Sequence, residues 1–279
     1  SLISALVSKF VPKGKLQTYS IGMRGGSDLK YANMVSNHIE SKHIEVLLTE
    51  EEFFKAIPEV IYNIESYDTT TVRASVGNYL VAKYISSHSD AKVIFNGDGS
   101  DEVTGGYMYF HAAPNELEFD KECHRLIDDI YMFDVLRSDK SISSNGLEPR
   151  TPFLDKEFVD MYMTIPCAWR YHVGNKECEK HLLRSAFEGE NLLPDKVLWR
   201  TKEAFSDGVS SLKKSWFEII EDKINEKKDD IFKNYVDKSY LINSPTTIEQ
   251  KYYRGLFEHY YENMGHVLPY FWMPKFVNA

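Results

Sequence analysis

Three carboxylates crowd the run Asn96-Gly97-Asp98-Gly99-Ser100-Asp101-Glu102, which follows directly on the apolar residues Val93, Ile94 and Phe95. The apolar triplet reads as a buried strand. The glycines flanking Asp98 permit tight turning and close approach of the backbone to a ligand, because neither carries a Cβ. Backbone N–H groups in such a turn can face an anion, and Asp101 and Glu102 open what reads as a helix. A bare phosphate would be repelled by Asp98, Asp101 and Glu102, so a phosphate site here requires a divalent cation between acid and anion. A strand-to-helix connection whose acids favour the positive end of the helix dipole explains these residues equally well.

Positive charge for a polyphosphate must come from elsewhere in the chain. The loop-like run Trp199-Arg200-Thr201-Lys202-Glu203-Ala204-Phe205-Ser206-Asp207-Gly208 is its leading supplier. The competing reading of that run is an exposed, salt-bridged loop of little energetic weight. Thr70-Thr71-Val72-Arg73 sets two hydroxyls beside a guanidinium at a helix start, where capping plus a surface arginine is the default account. Ile21-Gly22-Met23 closes an apolar strand. An apolar side chain and a glycine there could line a flat ring such as adenine, although a strand end needs such residues merely to turn.

The elements that must position these groups alternate in periodicity over the first hundred residues. Leu2, Ile3, Leu6, Val7 and Phe10 recur at helical spacing, and Leu16 to Met23 reads as a strand. Ser27-Asp28 can cap a helix bearing Leu29, Ala32, Val35 and Ile39, and His43 to Leu48 is a second strand. Thr49 with Glu52 makes a capping box before Phe53, Ile57, Val60 and Ile61. A further helix spans Ala74 to Ser87 before the strand at Val93. Strands alternating with helices predict a parallel sheet covered on both faces. Ligands of such sheets bind outside the carboxyl ends of the strands, where the Asn96 loop and the Ile21 segment both fall.

After Glu102 the pattern predicts helices over Leu117–Arg137, Lys156–Met163, Cys178–Glu188 and Ile248–Tyr261, and no strand. Glu221 to Lys233 reads as a solvated helix face or a loop, and the aromatic stretch from Tyr252 to Phe276 as packing. The expected architecture is one α/β unit, residues 1–102, with a mainly helical part built onto it, residues 103–279.

The formal net charge of −9 argues against a general nucleic-acid binder, which needs a basic face. Cys123, Cys167 and Cys178 are an odd set without a CxxC pair, so a reducing cytoplasmic setting is expected rather than a disulfide framework or structural zinc. No stretch approaches the length of a membrane span, no signal peptide precedes Ser1, and no membrane partner is expected.

Taken together, the motifs resemble the synthetase domain of glutamine-hydrolysing asparagine synthetases along nearly the whole chain. The resemblance is carried by Tyr19–Met23, Thr70–Ser75, Gly97–Glu102, Gly105–His111, Gly146–Asp155, Glu179–Arg184, Trp199–Gly208 and Trp272–Lys275, in the family's order. It implies an α/β fold with a parallel sheet of the ATP-pyrophosphatase (adenine nucleotide alpha hydrolase-like) type. It also implies ATP and Mg²⁺, with aspartate converted to β-aspartyl-AMP and pyrophosphate, and then ammonia from glutamine attacking to give asparagine and AMP. A homodimer is left open for the longer form. By the same resemblance Ile21 and Met23 border the adenine and ribose, and Asn96 and Gly97 face the nucleotide. Asp101 is a magnesium ligand, Lys202 contacts the phosphates, and Thr71 and Arg73 lie near the reacting phosphate and the intermediate. Asp98 stands where the family has a glutamate that takes a proton from the attacking ammonia.

The chain also departs from the family. The usual loop begins Ser-Gly-Glu-Gly where this one has Asn96-Gly97-Asp98-Gly99. Aspartate is shorter than glutamate by one C–C bond, about 1.5 Å. A misplacement of that size can slow a positioned reaction roughly a hundredfold. Either Asp98 acts through a water or the loop shifts to compensate. Gly26-Ser27 replaces the usual Ser-Pro, and Pro149 stands where a small residue is common.

The glutaminase domain and the loop Ser-Gly-Gly-Leu-Asp-Ser have no counterpart here, so the expectation is a fragment that is inactive by itself. The strand before that loop would lie between those at Leu16–Met23 and Val93–Phe95, leaving a sheet that must close up, recruit a strand or stay open. Two other readings remain. One is a β-lactam-forming relative, for which Tyr107 and Asp134 are the candidate second-step pair. The other is a nucleotide-binding module without catalysis.

Overall fold

The computed structural model describes residues 1–174, 177–210, 214–231, 234–235 and 239–276. Phe232 and Lys233, at the end of the charged run from Glu221, lie outside the described residues. In chain order the first half gives α1 (Leu2–Ser8), β1 (Gln17–Gly22), α2 (Ser27–His38), β2 (Lys42–Leu47), α3 (Glu50–Ile64) and α4 (Thr69–His88). It continues with β3 (Val93–Phe95), α5 (Ser100–Thr104), α6 (Glu116–Asp129), α7 (Asp134–Ser143) and β4 (Glu148–Arg150). The remainder is helical: α8 (Lys156–Thr164), α9 (Cys167–Arg170), α10 (His181–Ser185), α11 (Asp195–Leu198), α12 (Phe205–Gly208), α13 (Trp216–Glu226), α14 (Lys228–Ile231) and α15 (Ile248–Tyr260).

Local chemistry accounts for most boundaries. The Thr49–Glu52 capping box forms as the spacing predicts and opens α3. Its apolar face, Phe53, Ile57, Val60, Ile61 and Ile64, is wholly buried against α4, α13 and α15. The cap of α4 is Asp68, whose Oδ2 accepts from the Thr71 N–H at 2.8 Å and whose Oδ1 accepts from the Trp272 N–H at 2.8 Å. One buried carboxylate thus starts a helix and ties down the C-terminal segment. The Tyr252–Phe276 aromatics do pack: Tyr253 and Phe257 are buried in the main core, and Phe271 meets Tyr67 edge-on.

Four sequence expectations are corrected. Ser27-Asp28 does not cap α2; Gly26 occupies the cap, while the Ser27 hydroxyl donates to Glu203 at 2.7 Å and Asp28 pairs with Arg200 at 2.7 Å. Those side chains are committed to a distant segment, so they are not turned back on their own backbone. The expected helix over Leu117–Arg137 is two, α6 and α7, joined by a 3₁₀ turn at Ile130–Met132. The break at Phe133 (φ −125°, ψ −92°) accompanies burial of its ring in the main core. The expected helix over Cys178–Glu188 is regular only from His181 to Ser185. A strand also exists beyond Glu102. β4 runs parallel to β3 with Ile94 opposite Pro149, and three residues with a central proline carry no alternation that a pattern could detect.

The sheet is also split. β1 pairs with β2 in parallel and β3 with β4 in parallel, as two separate two-stranded ribbons. Between β1 and β3 lies a groove of about 530 Å³ bordered by Leu16–Tyr19 on one side and Val93–Asp98 on the other. Of the three outcomes open from sequence, the sheet stays open. No helix among the described residues is long and apolar enough to cross a membrane.

A smaller core of Phe110, Phe119, Cys123 and Leu126 holds the helical part together. His172 packs edge-on against Phe119 (5.5 Å) and His111 (5.0 Å), and neither of its ring nitrogens has a hydrogen-bond partner among the described residues. Burial first, and His111 and His181 second, pull its pKa from 6.5 down to about 4. Unfolded, the ring takes up a proton near its ordinary value; folded, it resists until far lower pH. The stability contributed by the neutral ring is therefore whole above pH 6.5 and lost as pH falls towards about 4. His172→Phe should flatten the pH–stability curve in that window by about 1.4 kcal/mol per pH unit, read from denaturation midpoints. Parallel curves for the two proteins would contradict this.

Candidate active site

β3 delivers the chain into Asn96–Gly99, and α5 begins immediately after. Gly99 has φ +87°, and a Cβ there would lie 2.2 Å from Leu154 Cγ, so the turn demands glycine on both counts. Gly106 is equally constrained from the other end of α5. A Cβ there would lie 2.3 Å from Lys180 Cε and 2.4 Å from Asp101 Oδ1. Gly106 lets the Lys180 side chain pass close over α5, and Gly99 makes room for Leu154.

Asp101 sits between two ammonium groups. Lys180 Nζ is 3.0 Å from its Oδ1 and donates to Ser100 Oγ at 2.9 Å. Lys202 Nζ is 3.7 Å from its Oδ2 and donates to the Glu203 carbonyl at 2.9 Å. Burial opposes ionisation of Asp101, but Lys180 and then Lys202 outweigh it and hold the carboxyl below the usual carboxylate range. Beside this cluster is a cavity of about 290 Å³ lined by Gly97, Ser100 and the cationic side chains of Lys180, Arg184, Arg200 and Lys202. Arg200 is fixed by Asp28 and Glu203 and stacks 3.9 Å over the Tyr31 ring. Arg184 is held by Glu179 and the Leu198 carbonyl. The two lysines converge on Asp101.

Behind Asp101 lies a second buried cluster. The Tyr107 hydroxyl donates to Glu102, and Arg137 bonds Asp134 at 2.8 Å while reaching within 3.9 Å of Asp98. Burial first, then the Asp134 and Asp101 carboxylates, push the Glu102 pKa well above its ordinary value. Tyr107 is likewise raised by burial, Asp134 and Glu102. Burial works against the Arg137 cation, but Asp134 and Asp98 outweigh it and keep it charged. The candidate tyrosine–acid pair is thus not direct: the partner of Tyr107 is Glu102, and Asp134 is engaged by Arg137.

The structure therefore gathers Asn96, Gly97, Asp98, Asp101, Tyr107, Asp134 and Lys202 around one loop. Four other candidates lie apart. Ile21 and Met23 are buried in the main core, and the Met23 N–H donates to the Val209 carbonyl at 2.7 Å. Thr71 is buried in the first turn of α4. Arg73 chelates the fully buried Glu249 carboxylate with Nε (2.7 Å) and Nη2, and lies 4.6 Å over the Phe217 ring. None of these four lines either cavity. Lys180, Glu102 and Arg137 are site residues that sequence reasoning did not assign. Lys180 lay in plain view within Glu179–Arg184, but nothing local shows that it crosses to α5.

Among the described residues no group of three or more His, Cys, Asp or Glu side chains could hold a metal ion. Asp101 alone fits a different arrangement. Magnesium is commonly held by one or two carboxylates together with substrate phosphates, and Asp101, set between two lysines that line the cavity, suits that use.

A loop after a parallel strand, followed by a short helix and flanked by cations, thus lies at the carboxyl edge of an α/β structure, where ligands of such sheets bind. The asparagine synthase family model matches residues 1–119 and 112–250, and the chain belongs to that family. It is 47% identical over 283 residues to the glutamine-hydrolysing asparagine synthetase of Gallus gallus, a match covering 100% of this chain and 50% of that protein. The enzymes so named from Rattus norvegicus (47% over 279 residues; 100% of this chain, 49% of the relative) and Homo sapiens (45% over 283 residues; 100% and 50%) match similarly. The chain spans about half the length of these curated relatives.

The Arg73–Glu249 pair joins α4 to α15, and its carboxylate has no exposure to solvent. Removing one partner of such a pair leaves a buried charge uncompensated. Arg73→Met should cost about 3 kcal/mol of stability in urea denaturation. An unchanged midpoint would show that the pair does not hold the two helices.

Proposed function

We propose that this chain carries the ATP-dependent synthetase chemistry of an asparagine synthetase, on a fold of the ATP-pyrophosphatase type whose nucleotide-binding part is residues 1–102 and whose helical part is 103–279. The observation that carries this reading is the placement of Lys180 and Lys202 on either side of Asp101, beside a cation-lined cavity. The relatives supply the direction: each is a glutamine-hydrolysing asparagine synthetase.

In this reading a β-carboxylate oxygen of aspartate attacks the α-phosphorus of ATP. A new O–P bond forms, and the bond to the leaving pyrophosphate breaks with its electron pair. Lys202 and Lys180 would face that developing charge, where cations lower such a barrier; their convergence on Asp101 beside the cavity supports it. Asp101 would hold Mg²⁺ together with the phosphates, and the ion would neutralise charge on them. Ammonia, derived from glutamine, then attacks the acyl carbon. The C–O bond to AMP breaks, and the proton shed by nitrogen passes to Asp98.

Gly97 lines the cavity and Asn96 opens its loop, which suits their nucleotide-facing role. For Ile21 and Met23 the adenine-bordering role rests on their place at the carboxyl end of β1. A part for Arg73 beside the phosphate requires its release from Glu249. The three cysteines are unpaired, which suits the reducing cytosol we assign to the reaction.

The test is aspartate-dependent exchange of labelled pyrophosphate into ATP by the intact protein. Lys202→Ala and Lys180→Ala should each retain the fold by circular dichroism and lower exchange by about a hundredfold or more. Exchange at the unaltered rate in both variants would remove this cavity from the reaction.

A further inference from the structure

Asp98 is one carbon shorter than the side chain its proposed role calls for, and its surroundings show how the loop is fitted to it. The Asp98 backbone N–H donates to Asn96 Oδ1 at 3.1 Å. The Asn96 Nδ2 donates to Ser138 Oγ at 3.0 Å. The Ser138 hydroxyl, in turn, donates to Asp98 Oδ2. The three bonds close on themselves: backbone of 98 to side chain of 96, to side chain of 138, and back to the carboxylate of 98.

We propose that Asn96 and Ser138 are positioning residues that form, with Asp98, a closed hydrogen-bond ring setting the place of the Asp98 carboxylate for the ammonia step. The inference rests on the reading of Asp98 as proton acceptor given above. Each member is chemically required. Residue 96 must accept from one direction and donate in another, which a planar carboxamide does and a single hydroxyl oxygen does less well. Residue 138 must accept from Asn96 and donate to the carboxylate, which a hydroxyl does and alanine cannot.

Ser138 is itself immobilised: it is 1% exposed, on α7, one residue after Arg137. Helix α7 packs against α4 and α3, so the ring is referenced to the main core and not to a free loop. Of the two carboxylate oxygens, Oδ2 is taken by Ser138, and Oδ1 faces Arg137 at 3.9 Å. The carboxylate also borders the groove between β1 and β3, which leaves it reachable. A glutamate at this position would carry its carboxylate about 1.5 Å further. A carboxylate so displaced could not keep its present place against the Ser138 hydroxyl. The ring thus fits an aspartate at position 98.

The test uses the intact protein with Ser138→Ala, Asn96→Ser and Asp98→Glu. Two quantities are read: the rate of ammonia-dependent asparagine formation relative to aspartate-dependent pyrophosphate exchange, and hydrogen exchange at the Asp98 amide. Ser138→Ala and Asn96→Ser should each lower that ratio about tenfold, and Asn96→Ser should raise Asp98 amide exchange about tenfold with β3 amides unmoved. Asp98→Glu should lower the ratio as well, and adding Ser138→Ala to it should recover part of the loss by making room. An unchanged ratio together with unchanged amide exchange in both ring variants overturns the proposal. So does Asp98→Glu with a higher ratio than the unaltered protein. Absence of aspartate-dependent exchange in the unaltered protein would instead sink the functional reading, and with it the catalytic half of this proposal. Amide exchange would then still decide whether the ring holds Asp98.

Discussion

Asp101, held between Lys180 and Lys202, is the interaction on which the site depends. A carboxylate buried at the head of α5 is costly alone, and two ammonium groups in an acidic protein need a reason to converge. Each makes the other tolerable, and the arrangement draws in three distant stretches of chain: α5, the start of α10 and the Trp199–Gly208 run. The tight passage of Lys180 over Gly106, and the left-handed turn at Gly99 beneath Leu154, are the steric conditions for that convergence. Charges stored in this way are ready to be exchanged. An anion with its own cation can take over the lysines and the acid together, whereas an anion alone meets the acid's repulsion.

Behind this cluster lies a second one, of Glu102, Tyr107, Asp134 and Arg137. These are packed so that burial raises the Glu102 pKa while Asp134 is paired with Arg137. Arg137 spans the two layers, bonding Asp134 and approaching Asp98. The Asp98 loop is thus braced from α7 and the Asp101 turn from α10 and the Lys202 segment. In the proposed reaction these two braces serve successive steps: displacement of pyrophosphate on one side, proton acceptance on the other.

Much of this was legible in the sequence, for identifiable reasons. The Thr49–Glu52 capping box, the strand at Val93–Phe95 and the glycine-bounded acidic loop are local signals, and each lies where it is expected. The strand is not buried, however: Val93 and Phe95 are exposed along the open edge facing the groove. Lys202 was readable because the Trp199–Gly208 run that carries it resembles the family's. Lys180 was not, because its approach to Asp101 depends on a glycine seventy-four positions away in sequence. β4 escaped notice because a three-residue strand centred on proline has no period. The division at Phe133 was hidden by a helical pattern that continues on both sides of it. Arg73 shows the converse: the motif is present, yet the guanidinium pairs with Glu249, a partner that no spacing rule relates to it.

The central claim is that Asp101 repels a bare polyphosphate and attracts one accompanied by magnesium. Calorimetric titration of pyrophosphate into the intact protein and into Asp101→Asn, with EDTA and then with Mg²⁺, tests it most directly. With EDTA the variant should bind pyrophosphate more tightly, since a repelling charge is gone and two lysines are released. With Mg²⁺ the order should invert, the variant binding more weakly than the unaltered protein. If the substitution changes affinity in the same direction under both conditions, or not at all, Asp101 does not govern the site and the account fails.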